Sequence, residues 1–426
     1  MQPQRSDTPT MTHPYSEATI VVLTDAYPYC GHPESVLVRP EIDALATRFR
    51  RVIVMPRRRM GDAYDSRRRP DVEICDDLTD ATTPDGRLPL WLAILSGELP
   101  KWLVNGTDSR DTFSHAVQAA AFSRWITGWI KRDPSLSPHN TVFYTFRLNP
   151  FTSGLALASR RLHLRIVTRA HTDDLQQGNR QLRLFTARRC KAIFTTSDQT
   201  ADVVRRRLSA DPHVHIETRR LGCIDRHPAT PAPHVMHSQL TFLTVGPISD
   251  DKRFDQMAEF IDALATAREK TIRWVIVGDG PRLSDLKKTL SVMPSNRWLH
   301  VELTGAVSND DGHALYATGR IDWMLLLAED SIGCPVAVCE ALMHGVPVIA
   351  NDVGGLSEML DDDCGILLAA NPRKEEFIRG IMPCIDSQLR YSRMRLGARE
   401  KWASDFDAAL LREELADDIV RMTDVH

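Results

Sequence analysis

The sequence predicts two doubly wound α/β domains in series, and three observations carry that expectation. β-branched apolar runs alternate with stretches of helical spacing along most of the 426 residues. The alternation stops over one segment rich in proline and histidine, then restarts. Length sets two or three domains, since about 100–200 residues per domain is usual. Hydrophobic residues make up 42% and charged residues 26%, which supplies a core and excludes the profile of a disordered chain.

Residues 1–16 are polar, rich in Pro, Thr and Ser, and read as a disordered leader. Ala18 to Asp25, ATIVVLTD, is the first strand. The following PEIDALATRF places Ile42, Leu45, Ala46 and Phe49 at helical spacing before a second strand, VIVMP. The runs TVFYTF, LRIVTRA and KAIFTTS continue the rhythm, so an N-terminal domain over 17–225 carries a parallel sheet covered on both faces. The stretch DRHPATPAPHVMHS from Asp225 has no periodic apolar signal, which places a linker at 226–239. A second domain over 240–390 begins with LTFLTVG and continues through RWVIVG, IDWMLLLA and VPVIAND. Between the first two, Phe254, Met257, Ile261 and Leu264 form one stripe of a helix. Residues 391–426 read as a final helical stretch, from about Tyr391 to Met422, that crosses back to the first domain through Trp402, Phe406, Leu410 and Leu411.

Other classes are disfavoured. The 53 Lys and Arg against 56 Asp and Glu give a net charge of −3, so no global basic field gathers nucleic acid. Eight cysteines stand singly, with no CxxC pair, which fits a reduced cytoplasmic compartment. No run of 18 uncharged apolar residues spans a membrane, and the N-terminus lacks the apolar stretch of a secretory signal. No GxGxxG follows a first strand with an acidic residue about 20 positions later, which disfavours a dinucleotide oxidoreductase.

The chemistry concentrates in Ser331 to Leu360, SIGCPVAVCEALMHGVPVIANDVGGLSEML. A buried strand ends near Ala328, Pro335 suits a first helical position, and Gly345 closes the helix. That geometry aims the amides around Gly333 and Cys334 out of the carboxyl edge of the sheet, where a phosphate binds. Glu340 projects from the same helix and suits a hydroxyl-rich ligand. After the next strand, Gly354 and Gly355 permit close backbone approach, and Glu358 opens another helix. On the plainer reading these glycines only make tight turns and Glu340 pairs locally.

The segment PVAVCEALMHGVPVIANDVGGLSE resembles the nucleotide-sugar signature of the retaining GT-B glycosyltransferases of family four, also called group 1. VGPISDDKRFD (245–255), VIVGDGPRLSDL (275–286) and LTGAVSNDD (303–311) follow in that family's order. In the first half, TDAYPYCGHPESVLVRPEIDAL, VFYTFRLNPFTSGLALA, VTRAHTDDL and AIFTTSDQT resemble bacterial exopolysaccharide glycosyltransferases of the colanic-acid and amylovoran type. The resemblance implies a GT-B fold whose two Rossmann-like domains face a cleft. It also implies a UDP- or GDP-sugar donor, a glycan or lipid-linked oligosaccharide acceptor held by the first domain, retention of anomeric configuration, and no cofactor or metal.

The resemblance also assigns roles. Lys252 aligns with a phosphate lysine, with Arg253 beside it; Gly246, Gly278 and Gly280 belong to the donor loops. Pro247 stands where the family carries a partner arginine. Glu340 aligns with the second Glu of the signature, which accepts from the ribose hydroxyls, and donor contacts extend over Ser331, Ile332, Gly333, Cys334, Pro335, Gly354, Gly355 and Glu358. The first Glu of the signature is Ile332 here, which accepts no hydrogen bond. Either Asp330 or Glu329 reaches in, or the donor sugar lacks a hydroxyl there, or activity is weak or absent. His171 aligns with a residue that positions the donor sugar, flanked by Arg169 and Asp174, and Tyr29 and Glu34 are candidates on the acceptor side.

Arg57–Arg59, Arg67–Arg69 and the apolar stretch LPLWLAILSGELPKWLV (88–104) admit two readings, solvated loops beside a core helix or peripheral contact with the inner face of a membrane. Two functions stay open as well: an active transferase for exopolysaccharide or cell-surface polysaccharide, or a non-catalytic GT-B nucleotide-sugar binder that supports an active partner.

Overall fold

A computed structural model of the chain describes residues 15–29, 34–63, 71–98, 110–171, 173–175, 179–207, 214–225, 236–329 and 333–424. The contacts of its Cα atoms divide it into two compact units. The first holds Met1–Thr195, Val203–Glu217 and Arg412–His426, the second Thr196–Asp202 and Thr218–Leu411.

The first unit contains strands β1 (Ser16–Thr24), β2 (Phe49–Pro56), β3 (Val72–Ile74), β4 (Thr141–Thr145), β5 (Arg165–Ala170), β6 (Ala192–Thr195) and β7 (His215–Thr218) in the order β3-β2-β1-β4-β5-β6-β7. β1 runs parallel to both β2 and β4, so the strand order reverses between β1 and β4. Every residue of β4 is buried, as expected of a parallel strand covered on both faces. The helix Pro150–Leu162 starts with a full capping box, in which the Asn149 side chain accepts from Phe151 and Thr152. Arg48, at the end of the helix Glu34–Arg48, donates to Asp417 at 2.8 Å and also pairs with Glu413, which ties the last helical segment into this unit.

The second unit contains β8 (Leu240–Val245), β9 (Ile272–Val277), β10 (Leu299–Gly305), β11 (Trp323–Leu326), β12 (Val348–Asn351) and β13 (Gly365–Leu368) in the order β10-β9-β8-β11-β12-β13, all parallel. The reversal falls between β8 and β11. Phe254, Met257, Ile261 and Leu264 are all buried on one face of the helix Phe254–Arg268, as the stripe predicts. Trp274 and Trp323 are fully buried, and each contributes on the order of 2–3 kcal/mol of burial. The Trp274 indole keeps its polar end satisfied by donating to Thr244 at 3.0 Å.

Three local expectations are corrected. The single helix over Tyr391–Met422 is two, Gln388–Asp405 and Ala408–Asp424. Neither Gly nor Pro marks the break. Instead Cys223 donates to the Phe406 carbonyl at 3.1 Å and accepts from the Ala408 amide at 3.2 Å, taking backbone groups that a continuous helix would use. Pro335 is the N-cap of the helix Val336–Met343, with ψ of 125°, rather than its first helical residue. In the stretch 88–104, the helix Leu90–Ser96 buries Leu92, Ala93 and Ser96, but leaves Leu90 53%, Trp91 58%, Ile94 63% and Leu95 60% exposed. One face therefore joins the core, and the reading as a core helix holds for that face alone. Residues 99–104 and Arg67–Arg69 lie outside the described residues.

Candidate functional site

Ligands of doubly wound sheets bind outside the carboxyl ends of the strands where the order reverses. In the second unit that point lies between the loops after β8 and β11, and the backbone fuses them. Arg253 donates to the Leu327 carbonyl at 3.2 Å and Glu329 to the Asp251 carbonyl at 3.0 Å, on either side of a bridge between Lys252 and Ala328. The loop after β9 joins the same platform. Gly278, at φ of 154°, lies so close to Gly246 that a Cβ on it would overlap the Gly246 carbonyl oxygen. Gly280 sits inside this joint, where the Ile248 amide donates to Asp279 and the Arg282 amide to Ile248, both at 3.0 Å. Gly355 makes the corresponding approach after β12, since its Cβ would come within 2.9 Å of the Gly333 carbonyl oxygen. Gly354, at φ of 58°, makes the preceding turn. The predicted glycines are thus brought together in two pairs.

A cavity of about 570 Å³ opens on this edge, lined by Ile248, Ser249, Lys252, Arg282, Asp285 and Glu329 among others. Lys252 pairs with Asp251 at 3.4 Å. The Arg253 guanidinium turns to the loop after β13, donating to the Ala370 carbonyl at 3.1 Å and the Asn371 side chain at 2.9 Å. Glu358 accepts from the Asp198 and Gln199 amides at 2.8 Å and from Arg220 at 3.2 Å, so in this structure it caps a helix start. Cys334 lies against Arg220, and burial pushes its thiol up to about 12. Glu340 has a side chain only 15% exposed, and burial pushes its carboxyl up to about 7. Ser331 and Ile332 lie outside the described residues.

In the first unit Tyr29 and Glu34 follow β1, beside the reversal. The Tyr29 hydroxyl donates to Asp76 at 3.0 Å and accepts from Arg59 at 3.1 Å. Glu34 is buried, accepts from the Asp25 amide at 2.7 Å, and is pushed up to about 7 by that burial. His171 follows β5. Its Nε2 lies 3.1 Å from the Phe146 carbonyl, which fixes the proton on Nε2, and desolvation lowers the ring to about 4. At neutral pH it therefore donates without carrying charge. Asp174 accepts from Arg147 at 2.8 Å, Leu148 at 3.2 Å and the His171 amide at 3.0 Å, which makes it the brace of the His171 loop. Arg169 does not reach solvent. It is 1% exposed and donates from Nε to Glu41 at 2.8 Å, while Tyr144 donates to the other oxygen of Glu41 at 2.6 Å.

Two residues escaped the sequence reading. Asn351 is fully buried at the end of β12, where it accepts from the Ala328 amide at 2.9 Å and donates to the carbonyls of Ala328 and Ala370, both at 2.8 Å. It holds the loops after β11 and β13 together. An asparagine closing the short apolar run VIA is the only signal it left. Arg220 lies in RRLGC, a segment that shares in the family resemblance, but nothing in that segment assigns it a role.

Residues 239–387 match the family described as Glycosyl transferases group 1. A 2-deoxystreptamine glucosyltransferase of Streptomyces kanamyceticus is 26% identical over 233 residues, 52% of this chain and 58% of that protein. The chain spans between 21% and 60% of the length of the curated relatives it matches. Among solved structures, the lipopolysaccharide outer core galactosyltransferase WaaB superposes with a TM-score of 0.65 at 13% identity, covering 95% of this chain and 99% of that one. The Anabaena protein HepE in complex with UDP and glucose superposes at 0.64 and 14% identity, covering 95% and 100%. Among the described residues, no helix is long and apolar enough to cross a membrane. The family match is thus confined to residues 239–387, in a chain whose two Rossmann-like sheets have the GT-B fold.

Proposed function

We propose that the protein is a glycosyltransferase that moves a hexose from a UDP- or GDP-sugar to a glycan or lipid-linked oligosaccharide, with retention of configuration and without a metal, in the synthesis of a surface polysaccharide. The observation that carries this reading is the fused loop platform after β8, β9 and β11, followed by the helix Val336–Met343 with Glu340 on it. Backbone amides at that helix start suit a diphosphate, and a desolvated carboxylate suits ribose hydroxyls. Lys252 supplies local positive charge toward the leaving group, where a site that excludes water makes it most effective. On this reading the Nε2 proton of neutral His171 stays on the Phe146 carbonyl and holds the loop after β5 in place.

The deciding measurement is nucleoside diphosphate release from UDP-, GDP- and ADP-sugars, with and without an extract of lipid-linked oligosaccharide. Glu340→Ala weakens nucleotide binding by about 1–3 kcal/mol, and unchanged affinity removes Glu340 from the site. The anomeric proton coupling of the product reads retention directly.

A second reading, a nucleotide-sugar binder without turnover, is favoured by one observation. Pro247 brings no cation, and the neighbouring Arg253 is committed to Ala370 and Asn371. Binding without diphosphate release from any donor would select it, and a gain of transfer in Ile332→Glu would oppose it. The exposed face of Leu90, Trp91, Ile94 and Leu95 supports peripheral membrane contact at the cytoplasmic surface. Co-sedimentation with anionic liposomes that survives unchanged in Trp91→Glu with Ile94→Glu removes that element.

A further inference from the structure

Glu340 does not stand alone. The helix Asn309–Ala317 brings His313 to it, with Nε2 of His313 3.9 Å from the Glu340 carboxylate. The other ring nitrogen of His313, Nδ1, lies 3.2 Å from Nε2 of His344, at the end of the Glu340 helix. Tyr316, one turn beyond His313, stacks its ring on His344 with centroids 4.9 Å apart and planes 6° apart. Its hydroxyl is buried and has no hydrogen-bond partner among the described residues. A buried hydroxyl left unpaired costs about 1–3 kcal/mol, so its position within electrostatic reach of Glu340 needs an explanation. Neither His313 nor Tyr316 belongs to the motifs that mark the donor loops, and His344 lies in the signature segment without a role assigned to it.

The surrounding charges single out one pair. Facing Glu340, burial pushes the Tyr316 hydroxyl and the Cys223 and Cys339 thiols well above their ordinary ranges, so all three stay neutral. His344 is lowered to about 4 by burial, then by His313, with Arg399 and Arg395 acting the same way and Asp225 opposing. Arg399 is itself paired with Asp225 at 2.6 Å. None of the three neutral groups gives Glu340 an opposite charge, and the imidazole of His313 faces its carboxylate. One proton lies between Nδ1 of His313 and Nε2 of neutral His344, and the second nitrogen of His313 faces the carboxylate.

We propose that His313 is a positioning residue for Glu340, holding the carboxylate ionised and aimed at the ribose of a nucleotide, with His344 and Tyr316 as its braces. The role at the ribose rests on the donor-site reading above; the pairing of His313 with Glu340 does not. When a proton is added to Glu340, the carboxylic acid forms and ribose hydroxyls lose the charged acceptor.

The test separates the two. In protein with glutamate labelled at the side-chain carboxyl carbon, the resonance that disappears in Glu340→Gln reports this residue by NMR. The expected result is a midpoint raised by about one pH unit in His313→Leu, and by less in His313→Gln, which keeps a polar group without the charge. Equal midpoints in the wild type and both variants overturn the proposal. Affinity for UDP-glucose and GDP-glucose, whose phosphates do not titrate over the range, is then followed from about pH 6 to about pH 9. His313→Leu is expected to move the acidic limb upward, with affinity at the alkaline end within about twofold of wild type. A uniform loss at every pH assigns His313 a merely structural role and overturns the proposal. Failure of the wild type to bind either probe at any pH sinks the nucleotide reading, while the carboxyl titration still decides the pairing.

Discussion

Asn351 pairs with both backbone polar groups of Ala328, accepting from its amide at 2.9 Å and donating to its carbonyl at 2.8 Å. A side-chain amide is the one common group that mimics a neighbouring strand in this way, and here, from the last residue of β12, it extends the ladder past the end of β11. Asn351→Leu would fill similar space but strand two buried groups of Ala328. Unfolding in denaturant is expected to show a loss of about 2–4 kcal/mol. A loss below about 0.5 kcal/mol would mean that the loop does not depend on this pair.

Glycine substitutions should divide by what a Cβ would meet. At Gly278 it would overlap the Gly246 carbonyl, and the backbone φ of 154° adds strain. Gly278→Ala should cost about 1–3 kcal/mol and weaken nucleotide binding. At Gly128, exposed in the helix Arg110–Arg132, a Cβ meets nothing within 4 Å. Gly128→Ala should stabilise by roughly 0.5–1 kcal/mol. Equal effects at the two positions would count against the close approach of the loops after β8 and β9.

His115 gives a signed pH dependence. It is buried against Ser153 at 2.9 Å, and desolvation lowers it to about 4 from an ordinary 6.5. Between those values the unfolded chain binds the proton and the folded chain does not, so this residue makes stability fall as pH drops from about 6.5 towards 4. His115→Gln should flatten the slope of unfolding free energy over that interval by up to about 1.4 kcal/mol per pH unit. Burial of Glu34 and Glu340 acts in the opposite sense: the folded chain holds their protons from about 4.5 up to about 7, so their contribution falls as pH rises through that window. Comparing variant with wild type isolates His115 from both.

Glu358 should behave as a cap. Its carboxylate serves the Asp198 and Gln199 amides and Arg220. Glu358→Ala is expected to destabilise by about 1–2 kcal/mol, read as a shift of the denaturation midpoint. If the variant lost nucleotide affinity with no change in stability, Glu358 would belong to the ligand instead.

What the sequence made legible follows from range. The strands that were foreseen, such as β1, β4 and β8, are runs of β-branched residues buried on both faces, so local composition announces them. β10 was missed as a strand because its residues alternate between half-buried and exposed, LHVELTG, and β3 and β7 because they are short and partly polar. The donor loops were legible through glycine, since only glycine tolerates their contacts. What each glycine touches was not, because Gly246 and Gly278 lie on different strands. Arg169 and Asp174 looked like site residues by their motif, yet their partners Glu41 and Arg147 turn them inward. The same limit hid Asn351, Arg220 and the neighbours of Glu340.

The pairing of Arg48 with Glu413 and Asp417 joins residues 365 positions apart in the case of Glu413. A ribosome releases the chain from its N-terminus, so the seven strands of the first sheet emerge long before the helix that Arg48 holds. Until then a nearly buried guanidinium waits without its carboxylates. The first unit therefore matures last, and the nascent chain must carry it incomplete through the synthesis of the whole second sheet.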